Sequence, residues 1–290
     1  MSSRPLVAIY CDGSAKVGYG HIRRSKTLAT QLDRDGVDAC ILGLSDEARR
    51  LLPEPKRTGH SASVQVFDSP YDIDDMLCAA QLRGQITVAL DWFGKVIPDV
   101  NIAVYPHGEV RGIKKVHVGF EYILLREEIV LRRQLTATHS AKCVLVVLGG
   151  GDLLNQGHEL SRRLCEQGLE VTLVQGPFAK NRDAGDGYRV LMSPPELPQL
   201  LASCDWAVTN GGGCLFEAMC MRKAAYVIPQ TEAEENIARF AKTQGAILGV
   251  GSANLRAFSY DELGIVAERG AKLVDGLGVS RVSSIIRGLM

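Results

Sequence analysis

The sequence predicts an α/β protein built from two Rossmann-like domains that face each other across a cleft. Short apolar runs alternate with helical patterns along the chain. The runs are nearly continuous in apolar character, which is typical of parallel strands covered by helices on both faces. The alternation pauses at a charged and then polar stretch, 127–142, and restarts after it. We therefore expect domains at 1–135 and 136–290, joined through this stretch, in a chain of 290 residues that is long enough for both.

The first half contains five predicted strands and three predicted helices. The first helix, 21–35, turns Ile22, Leu28 and Leu32 toward the core and ends at Gly36, a residue that favours a helix C-terminus. Ser45 is the predicted N-cap of the second helix, SDEARRLL, and the third helix is DIDDMLCAAQL. The strands are PLVAIYCD, VDACILGL, SVQVFD, ITVALDWF and VNIAVYPH.

The second half repeats this alternation. Its predicted strands are CVLVVLGGGD, EVTLVQG, YRVLM, WAVTN, AAYVIP and AILGV. Its predicted helices cover 155–167, PELPQLLASC, 214–222 and 232–243, followed by the closing helices SYDELGIVAERGAKLVD and SRVSSIIRGL. This order predicts a second parallel sheet.

Composition excludes several function classes. The 33 basic and 33 acidic residues balance to a net charge of zero, so we expect no nucleic-acid partner. No apolar run approaches the roughly 18–20 residues that span a bilayer, and the start of the chain lacks the pattern of a signal peptide. The eight cysteines include no CxxC pair, and several lie in apolar runs, which favours reduced, buried thiols. We expect a cytoplasmic protein without a membrane span, and the oligomeric state stays open.

Three glycine-rich turns follow predicted strands and precede predicted helices, at 12–21, 148–157 and 209–218. Glycine lets the backbone approach a ligand, and the N–H groups at a helix start can bind phosphate. All three turns fall at the carboxyl ends of strands, where open α/β sheets bind ligands. None is a Walker loop, and Arg23 stands where a dinucleotide fingerprint after Gly18 and Gly20 needs glycine or alanine. We therefore expect phosphate binding without a nicotinamide cofactor.

Several polar side chains at these strand ends are candidate ligand contacts. Glu217, near a helix start, could accept both hydroxyls of a ribose, and Gln230 and Asn236 could reach a sugar. Asp12 either orients a substrate hydroxyl or braces its loop. His107 could line the cleft from another strand end.

The first glycine turn ends in His21, followed by two arginines. Either Arg23 or Arg24 could face phosphate while the other faces solvent, because adjacent helix positions lie about 100° apart. We expect Arg23 in the site.

These residues carry a resemblance to a known family. The segment DGSAKVGYGHIRRSKTLATQL resembles the opening of the UDP-sugar hydrolases of pseudaminic acid biosynthesis and of related spore-coat polysaccharide proteins, with an acidic residue, G-x-G-H, a hydrophobic residue and x-R. VALDWF, VGFEYILLREEI, VLVVLGGGDLLN, TNGGGCLFEAMCMRKAAYVIP and EENIARFAKTQGA resemble later blocks of the family in the same order. The resemblance covers the chain from about residue 7 to residue 250.

The resemblance implies a GT-B-like fold, similar to that of two-domain glycosyltransferases, and hydrolysis of a UDP-linked diacetamido-deoxy-hexose with inversion. It implies that His21 is the catalytic histidine. It also implies nucleotide contacts from Glu217 and from the 211–214 loop. We add the second glycine turn and the start of the predicted helix PELPQLLASC, so the expected nucleotide contacts are Gly150, Gly151, Leu197, Gly211, Gly212, Gly213, Cys214 and Glu217. Cys214 departs from the family, where a hydroxyl residue is common, and a thiol is a poor hydrogen-bond donor.

A histidine suits the predicted reaction. Water needs a base to act as a nucleophile near neutral pH, and the ordinary histidine pKa of about 6.5 lies close to that range. Backbone N–H groups of the glycine turns would stabilise the leaving diphosphate, so we expect no metal and no cofactor. The same base could activate an acceptor hydroxyl, which leaves a glycosyltransferase as the alternative. A non-catalytic nucleotide-sugar sensor is a third possibility.

Overall fold

The computed structural model describes residues 4–14, 18–54, 61–104, 115–133, 140–179 and 185–290. Within these ranges the chain forms two compact units. The first unit contains 1–126 together with 276–290, and the second contains 127–275. Each unit is an α/β structure with its own parallel sheet and its own core.

The first unit is built on a six-stranded parallel sheet in the order β2-β1-β3-β4-β5-β6. The strands are β1 (Leu6–Cys11), β2 (Asp38–Gly43), β3 (Val64–Asp68), β4 (Ile86–Leu90), β5 (Val100–Ala103) and β6 (Val116–Val118). Three helices connect them: α1 (Gly20–Arg34), α2 (Asp46–Leu51) and α3 (Asp74–Leu82). The Ser45 side chain accepts a hydrogen bond from the Ala48 N–H, which confirms it as the N-cap of α2.

The second unit is built on a five-stranded parallel sheet in the order β11-β10-β7-β8-β9. The strands are β7 (Cys143–Val147), β8 (Glu170–Gln175), β9 (Arg189–Met192), β10 (Trp206–Thr209) and β11 (Ala224–Val227). The helices are α4 (Glu127–Arg132), α5 (Gly157–Cys165), α6 (Leu197–Ser203), α7 (Gly213–Cys220), α8 (Glu232–Thr243) and α9 (Tyr260–Leu273). The fully buried Trp206 and Tyr226 both pack against Phe258 in the core of this unit.

The last helix, α10 (Gly278–Arg287), returns to the first unit. Val282 and Ile286 are fully buried with Leu28 and Leu32 of α1 in one core cluster. A Cβ at Gly278 would lie 2.2 Å from the Ile123 carbonyl oxygen, so this helix begins in close backbone contact with the first unit. The structure therefore divides the chain differently from the predicted 1–135 and 136–290, because the apolar face of α10 completes the first core.

The stretch 127–142 also differs from the prediction. Its first residues form α4, which belongs to the second unit, rather than a connection. Ile129 is fully buried, and the Arg133 guanidinium donates to the backbone carbonyls of Cys220, Ala271 and Val274 at 2.8–3.0 Å. These contacts fix the segment on the second unit.

Two further elements differ from the predictions. The short edge strand β6 was not predicted, because VHV is too brief to show a period. AILGV, 246–250, was predicted as a strand but forms only a single bridge between Val250 and Val227. Two of its backbone groups, the Leu248 N–H and the Gly249 carbonyl, form hydrogen bonds with β11, and the Gly251 N–H adds a third just beyond the segment.

Candidate functional site

The candidate active site lies at the carboxyl edge of the first sheet. The chain leaves β1 toward β2 on one side, and β3 lies on the other, so the order reverses between β1 and β3. Such a switch point leaves a crevice beyond the strand ends. His21 follows β1 in the first turn of α1, Asp68 ends β3, and Asp91 follows β4.

His21 and Asp68 form a hydrogen-bonded pair. His21 Nδ1 lies 2.6 Å from Asp68 Oδ1. An ionised carboxylate can only accept a hydrogen bond, so Nδ1 carries the proton and donates it to Asp68. The other ring nitrogen, Nε2, is then the acceptor in the neutral ring. The His21 side chain is 23% exposed while that of Asp68 is 0% exposed, so the imidazole is accessible and its partner is not.

Arg24 lies one turn beyond His21 on α1 and joins Asp68 to Asp91. Its Nε donates to Asp68 Oδ2 at 2.7 Å, and its Nη2 donates to Asp68 Oδ1 at 2.5 Å. Its Nη1 donates to Asp91 Oδ2 at 2.9 Å. Ser25 Oγ adds a longer bond to Asp68 Oδ2 at 3.3 Å. Asp68 therefore has both oxygens occupied and holds the imidazole in one orientation.

The charges of this network determine the protonation state of Asp68. Burial by itself raises the pKa of Asp68, yet the charge of Arg24 and the hydrogen bonds from His21 and Arg24 lower it to about 2. Burial lowers the pKa of Arg24, but the Asp68 and Asp91 carboxylates raise it above its ordinary value. Both groups are therefore charged throughout the physiological range. A fixed anion beside Nδ1 orients the ring and stabilises the imidazolium that forms when Nε2 accepts a proton.

Asp91 anchors the network to the sheet. Its Oδ1 accepts a hydrogen bond from the Val104 N–H at 2.7 Å, and its own N–H donates to the Ile102 carbonyl. Its φ of 54° lies in the left-handed region, where aspartate is one of the few tolerated residues. This strained residue at a strand end fixes the far side of the Arg24 guanidinium.

The structure places the predicted residues of this unit in different roles. Asp12 braces its loop: its Oδ1 accepts from the Gly13 N–H at 2.7 Å and from Ser45 Oγ at 2.6 Å. Gly18, at φ 78°, closes a short bridge to Ser14, and this backbone conformation requires glycine. Arg23 is exposed and lies outside the charged network, so Arg24, not Arg23, is the arginine of the site.

Two predicted positions of this unit remain. Gly20 begins α1, and a Cβ there would meet nothing within 4 Å, so the backbone beside His21 is open. His107 lies outside the described residues. Its predicted role stays a prediction.

The carboxyl edge of the second sheet carries the other two glycine turns. The strand order reverses between β10 and β7, so the turns after these strands lie at the switch point of this unit. They lie close together, since a Cβ at Gly149 would come within 2.8 Å of Asn210 Nδ2. Gly150 is exposed and Gly151 is half-buried beside Phe178 of the turn after β8.

The third turn leads directly into α7. Gly212 is the N-cap, without a side-chain cap, and Gly213 is the exposed first residue of the helix with open space where a Cβ would be. Gly211 has φ 92° and lies against the Glu234 carbonyl oxygen, 3.0 Å from an added Cβ, so only glycine fits. Cys214 and Glu217 are half-buried in the first two turns. A helix start of this kind presents backbone N–H groups that can bind an anion.

Three further predicted residues of this unit differ in their hydrogen bonds. The Gln230 amide accepts from the Leu154 N–H at 2.9 Å and donates to the Ile228 carbonyl at 3.1 Å, so it braces two loops. Leu197 begins α6 and is half-buried. Asn236 is half-buried in α8, and within the described parts of the chain its side chain has no hydrogen bond.

Three carboxylates at the two sheet edges were not predicted from the sequence. Asp68 and Asp91 each end an apolar run, SVQVFD and VALD, and a carboxylate directly after a buried parallel strand is a usable signal. Glu234 carries no such signal, because it is one of three acidic residues in TEAEENIARF and only contacts distinguish it.

Among the described residues, no group of three or more His, Cys, Asp or Glu side chains could hold a metal ion. Within the same ranges no helix is both long enough and apolar enough to cross a membrane.

Comparison with solved structures identifies the fold class of this protein. Over 98% of its length the chain superimposes on Acinetobacter baumannii MurG, covering 99% of that chain, with a TM-score of 0.69 and 13% identity. It superimposes on Anabaena Alr3699/HepE in complex with UDP-glucose over 98% of this chain and 100% of that one, with a TM-score of 0.61 and 14% identity. The predicted fold class is confirmed: the protein has two parallel-sheet α/β units and the fold of GT-B glycosyltransferases.

The sequence comparison points to a narrower group. The chain is 24% identical to the spore coat polysaccharide biosynthesis protein SpsG of Bacillus subtilis (strain 168), over 98% of this chain and 98% of that protein. No family model matches the chain. The predicted resemblance to the spore-coat polysaccharide proteins is confirmed.

Proposed function

We propose that the protein is an enzyme of glycan biosynthesis that hydrolyses a UDP-linked acetamido-deoxy-hexose and releases UDP. The His21–Asp68 pair is the observation that carries this proposal. It presents an accessible imidazole whose Nε2 can accept a proton, at the switch point of a parallel sheet. The relative SpsG, by its name a polysaccharide biosynthesis protein, and the neighbour that binds UDP-glucose support the substrate class.

In this mechanism His21 Nε2 removes a proton from water as the water attacks the anomeric carbon. The bond from that carbon to the diphosphate oxygen breaks, and its electron pair leaves with UDP. Attack opposite the leaving group inverts the anomeric centre. The Asp68 carboxylate stabilises the imidazolium that results, and Arg24 keeps Asp68 ionised.

The second unit binds the nucleotide. We assign the diphosphate to backbone N–H groups at the start of α7, from Gly212 to Cys214, and the ribose to Glu217. Gly150 and Gly151 of the neighbouring turn offer further open backbone. Donors of this kind stabilise charge that builds on the leaving group without a metal ion.

Transfer to an acceptor hydroxyl is the second candidate. The fold is that of glycosyltransferases, and an alcohol needs the same proton removal by His21 that water needs. The two candidates differ only in what attacks the sugar.

A panel of UDP-sugars tests the proposal. The purified protein is incubated with each sugar, alone and with candidate acceptors, and UDP release and the sugar product are followed by NMR in ¹⁸O-labelled water. We expect UDP release without an acceptor and ¹⁸O in the free sugar with inverted configuration. Release that requires an acceptor identifies a transferase. Binding without any turnover contradicts both candidates and supports a sensor.

A further inference from the structure

One carboxylate of the second unit contacts two of the loops at its carboxyl edge. Glu234 lies in the first turn of α8 and is half-buried. Its Oε2 accepts a hydrogen bond from the Gln230 N–H at 2.7 Å, in the loop after β11. Its Oε1 accepts a hydrogen bond from the side-chain amide of Asn210, in the loop after β10.

The same contacts extend to the third loop. The Gln230 side chain accepts from the Leu154 N–H, in the loop after β7, and Asn210 lies against Gly149 of that loop. The main chain of Glu234 also packs against Gly211. The two glycine turns of the second unit and the loop after β11 are therefore held, directly or through one residue, by Glu234.

The Glu234 carboxylate is surrounded by neutral hydrogen-bond partners. Its hydrogen-bond partners, the backbone N–H groups of Gln230 and Thr231 and the side-chain amide of Asn210, are all neutral. Within the described residues it forms no ion pair with a basic side chain. Burial raises the pKa of Glu234 above its ordinary value, although the hydrogen bonds from Gln230 and Asn210 oppose this. A Cβ at Gly212, the N-cap of α7, would lie 3.7 Å from Glu234 Oε1, so the charge is adjacent to the anion-binding helix start.

Among the described residues, the ionisable groups near Glu234 on α8 and α7 do not neutralise its charge. On its own helix, Glu235 is exposed and paired with Arg239 at 2.6 Å, and Glu232 is exposed. On α7, the helix that starts at Gly212, the ionisable residues of the first two turns are Cys214 and Glu217. Glu217 adds negative charge to this edge when it is ionised.

We propose that Glu234 is the positioning residue of the diphosphate-binding loops and that it takes up a proton when a UDP-sugar binds. This inference rests on the proposed nucleotide site of the second unit. A nearby diphosphate places like charge beside the carboxylate, which favours the neutral acid. Affinity for the diphosphate then rises as the pH falls, because the bound state holds one more proton than the free state.

Two substitutions separate positioning from charge. In E234Q the new amide can accept from the Gln230 N–H and donate to a flipped Asn210 amide, so the contacts remain while the charge is lost. In E234A both the contacts and the charge are lost. E235Q is the matched control, since it removes an exposed carboxylate one residue away on the same helix turn.

Calorimetry with UDP-glucose measures proton uptake on binding. Both phosphates of this probe are doubly substituted, so it has no phosphate proton that titrates near neutral pH. We expect proton uptake by the wild type and E235Q, measured as a dependence of the binding heat on the ionisation enthalpy of the buffer. Their affinity should fall as the pH rises from about 6 to about 8, by at most about tenfold per pH unit for a single proton. E234Q should bind with no uptake and a flatter pH profile.

Amide hydrogen exchange in the absence of nucleotide tests whether Glu234 holds the loops in place. E234A should speed amide exchange in segments 149–156, 209–214 and 229–231, while E234Q and E235Q should not. Unchanged exchange in E234A overturns the positioning role, and wild-type binding without proton uptake overturns the proton coupling. A wild type that binds neither UDP nor UDP-glucose overturns the nucleotide site and the coupling together. Binding with uptake but no turnover of any UDP-sugar contradicts the proposed function alone.

Discussion

In the first unit, the carboxyl edge of the sheet carries four ionisable side chains in one network, His21, Arg24, Asp68 and Asp91. In the second unit, the same edge carries glycines, amides and a half-buried carboxylate that has no basic partner among the described residues. Both edges contain a switch point of a parallel sheet and a helix that starts behind a glycine turn. The difference therefore comes from the side chains that each edge supplies.

This difference separates two tasks. A proton must be moved by a group with a fixed orientation and a fixed electrostatic environment, and the buried Asp68–Arg24 pair supplies both to His21. In the proposed nucleotide site a diphosphate is instead bound by backbone N–H groups, which need open space and no side chain. We expect substitutions at the first edge to change turnover or folding, and substitutions at the second edge to change affinity.

The largest expected effect is on turnover. H21Q should lower kcat by about 10²–10⁴, the usual contribution of a positioned base, and leave UDP affinity unchanged. H117Q is the control, because His117 lies in the same unit and its ring contacts Tyr122. Steady-state kinetics and calorimetry on both variants measure the two quantities. A kcat of H21Q within a few-fold of the wild type removes His21 from the role of base.

The next largest effect is on stability. Substitutions of the adjacent residues Arg23 and Arg24 test it. R24M leaves Asp68 buried without its cationic partner and should lower the free energy of unfolding by about 3–5 kcal/mol. R23M changes an exposed side chain and should alter it by less than about 0.5 kcal/mol. Urea unfolding followed by circular dichroism compares them. Equal midpoints for the two variants would show that the network does not stabilise the first unit.

A third effect appears in acid. The folded-state pKa of Asp68 is about 2, below the ordinary value of about 3.9, so its ionised form stabilises the fold by about 2–3 kcal/mol. This contribution is fully present above about pH 4 and is lost as the pH falls toward 2. D68N should be less stable than the wild type at neutral pH and should lose less stability on acidification. D46N, at an exposed aspartate, should follow the wild type in urea titrations at each pH.

The second edge should respond in affinity. E217A should weaken UDP binding by about 1–3 kcal/mol, because a carboxylate that accepts ribose hydroxyls makes charge-assisted hydrogen bonds. E159A, at an exposed carboxylate of α5, is the control and should bind UDP like the wild type. Calorimetry measures both. Unchanged affinity in a folded E217A protein would exclude Glu217 from the nucleotide site.

The smallest effect compares one glycine from each edge. A Cβ at Gly20 or at Gly213 meets nothing within 4 Å, and both residues begin a helix. G20A and G213A should therefore keep or raise stability, by up to about 1 kcal/mol, since alanine favours the helix. If ligand occupies the open space, G20A lowers turnover and G213A lowers UDP affinity. Thermal melts with both functional assays test this, and two fully active variants would mean that no ligand approaches these positions.

Much of the fold follows from local sequence patterns. The apolar runs predicted ten of the eleven described strands, and the helix predicted at 232–243 has the same bounds in the structure. The sheets are parallel because each strand is followed by a helix or a long connection. The amino-acid sequence shows that alternation directly. His21 was also predicted, since its glycine turn and helix start are contiguous in sequence.

The rest depended on contacts between distant positions. Arg23 and Arg24 have the same chemistry in the sequence, and only the direction of α1 shows which of them meets Asp68, 44 residues away. The predicted sugar contact of Gln230 stays a prediction, and only the structure shows that its amide oxygen accepts a hydrogen bond from the Leu154 N–H, 76 residues away.

The sequence by itself determined two parallel α/β sheets, three glycine turns at their carboxyl ends and a histidine at the start of α1, because strand burial and helix starts are encoded by neighbouring residues. Only the tertiary structure decided that α10 belongs to the first unit, that Asp68 and Arg24 hold His21, and that Glu234 holds the loops of the second unit. Each of these depends on which side chains meet across the fold. Burial raises the pKa of both carboxyl groups, but the charge of Arg24 overrides burial at Asp68, whereas Glu234 has only neutral partners among the described residues.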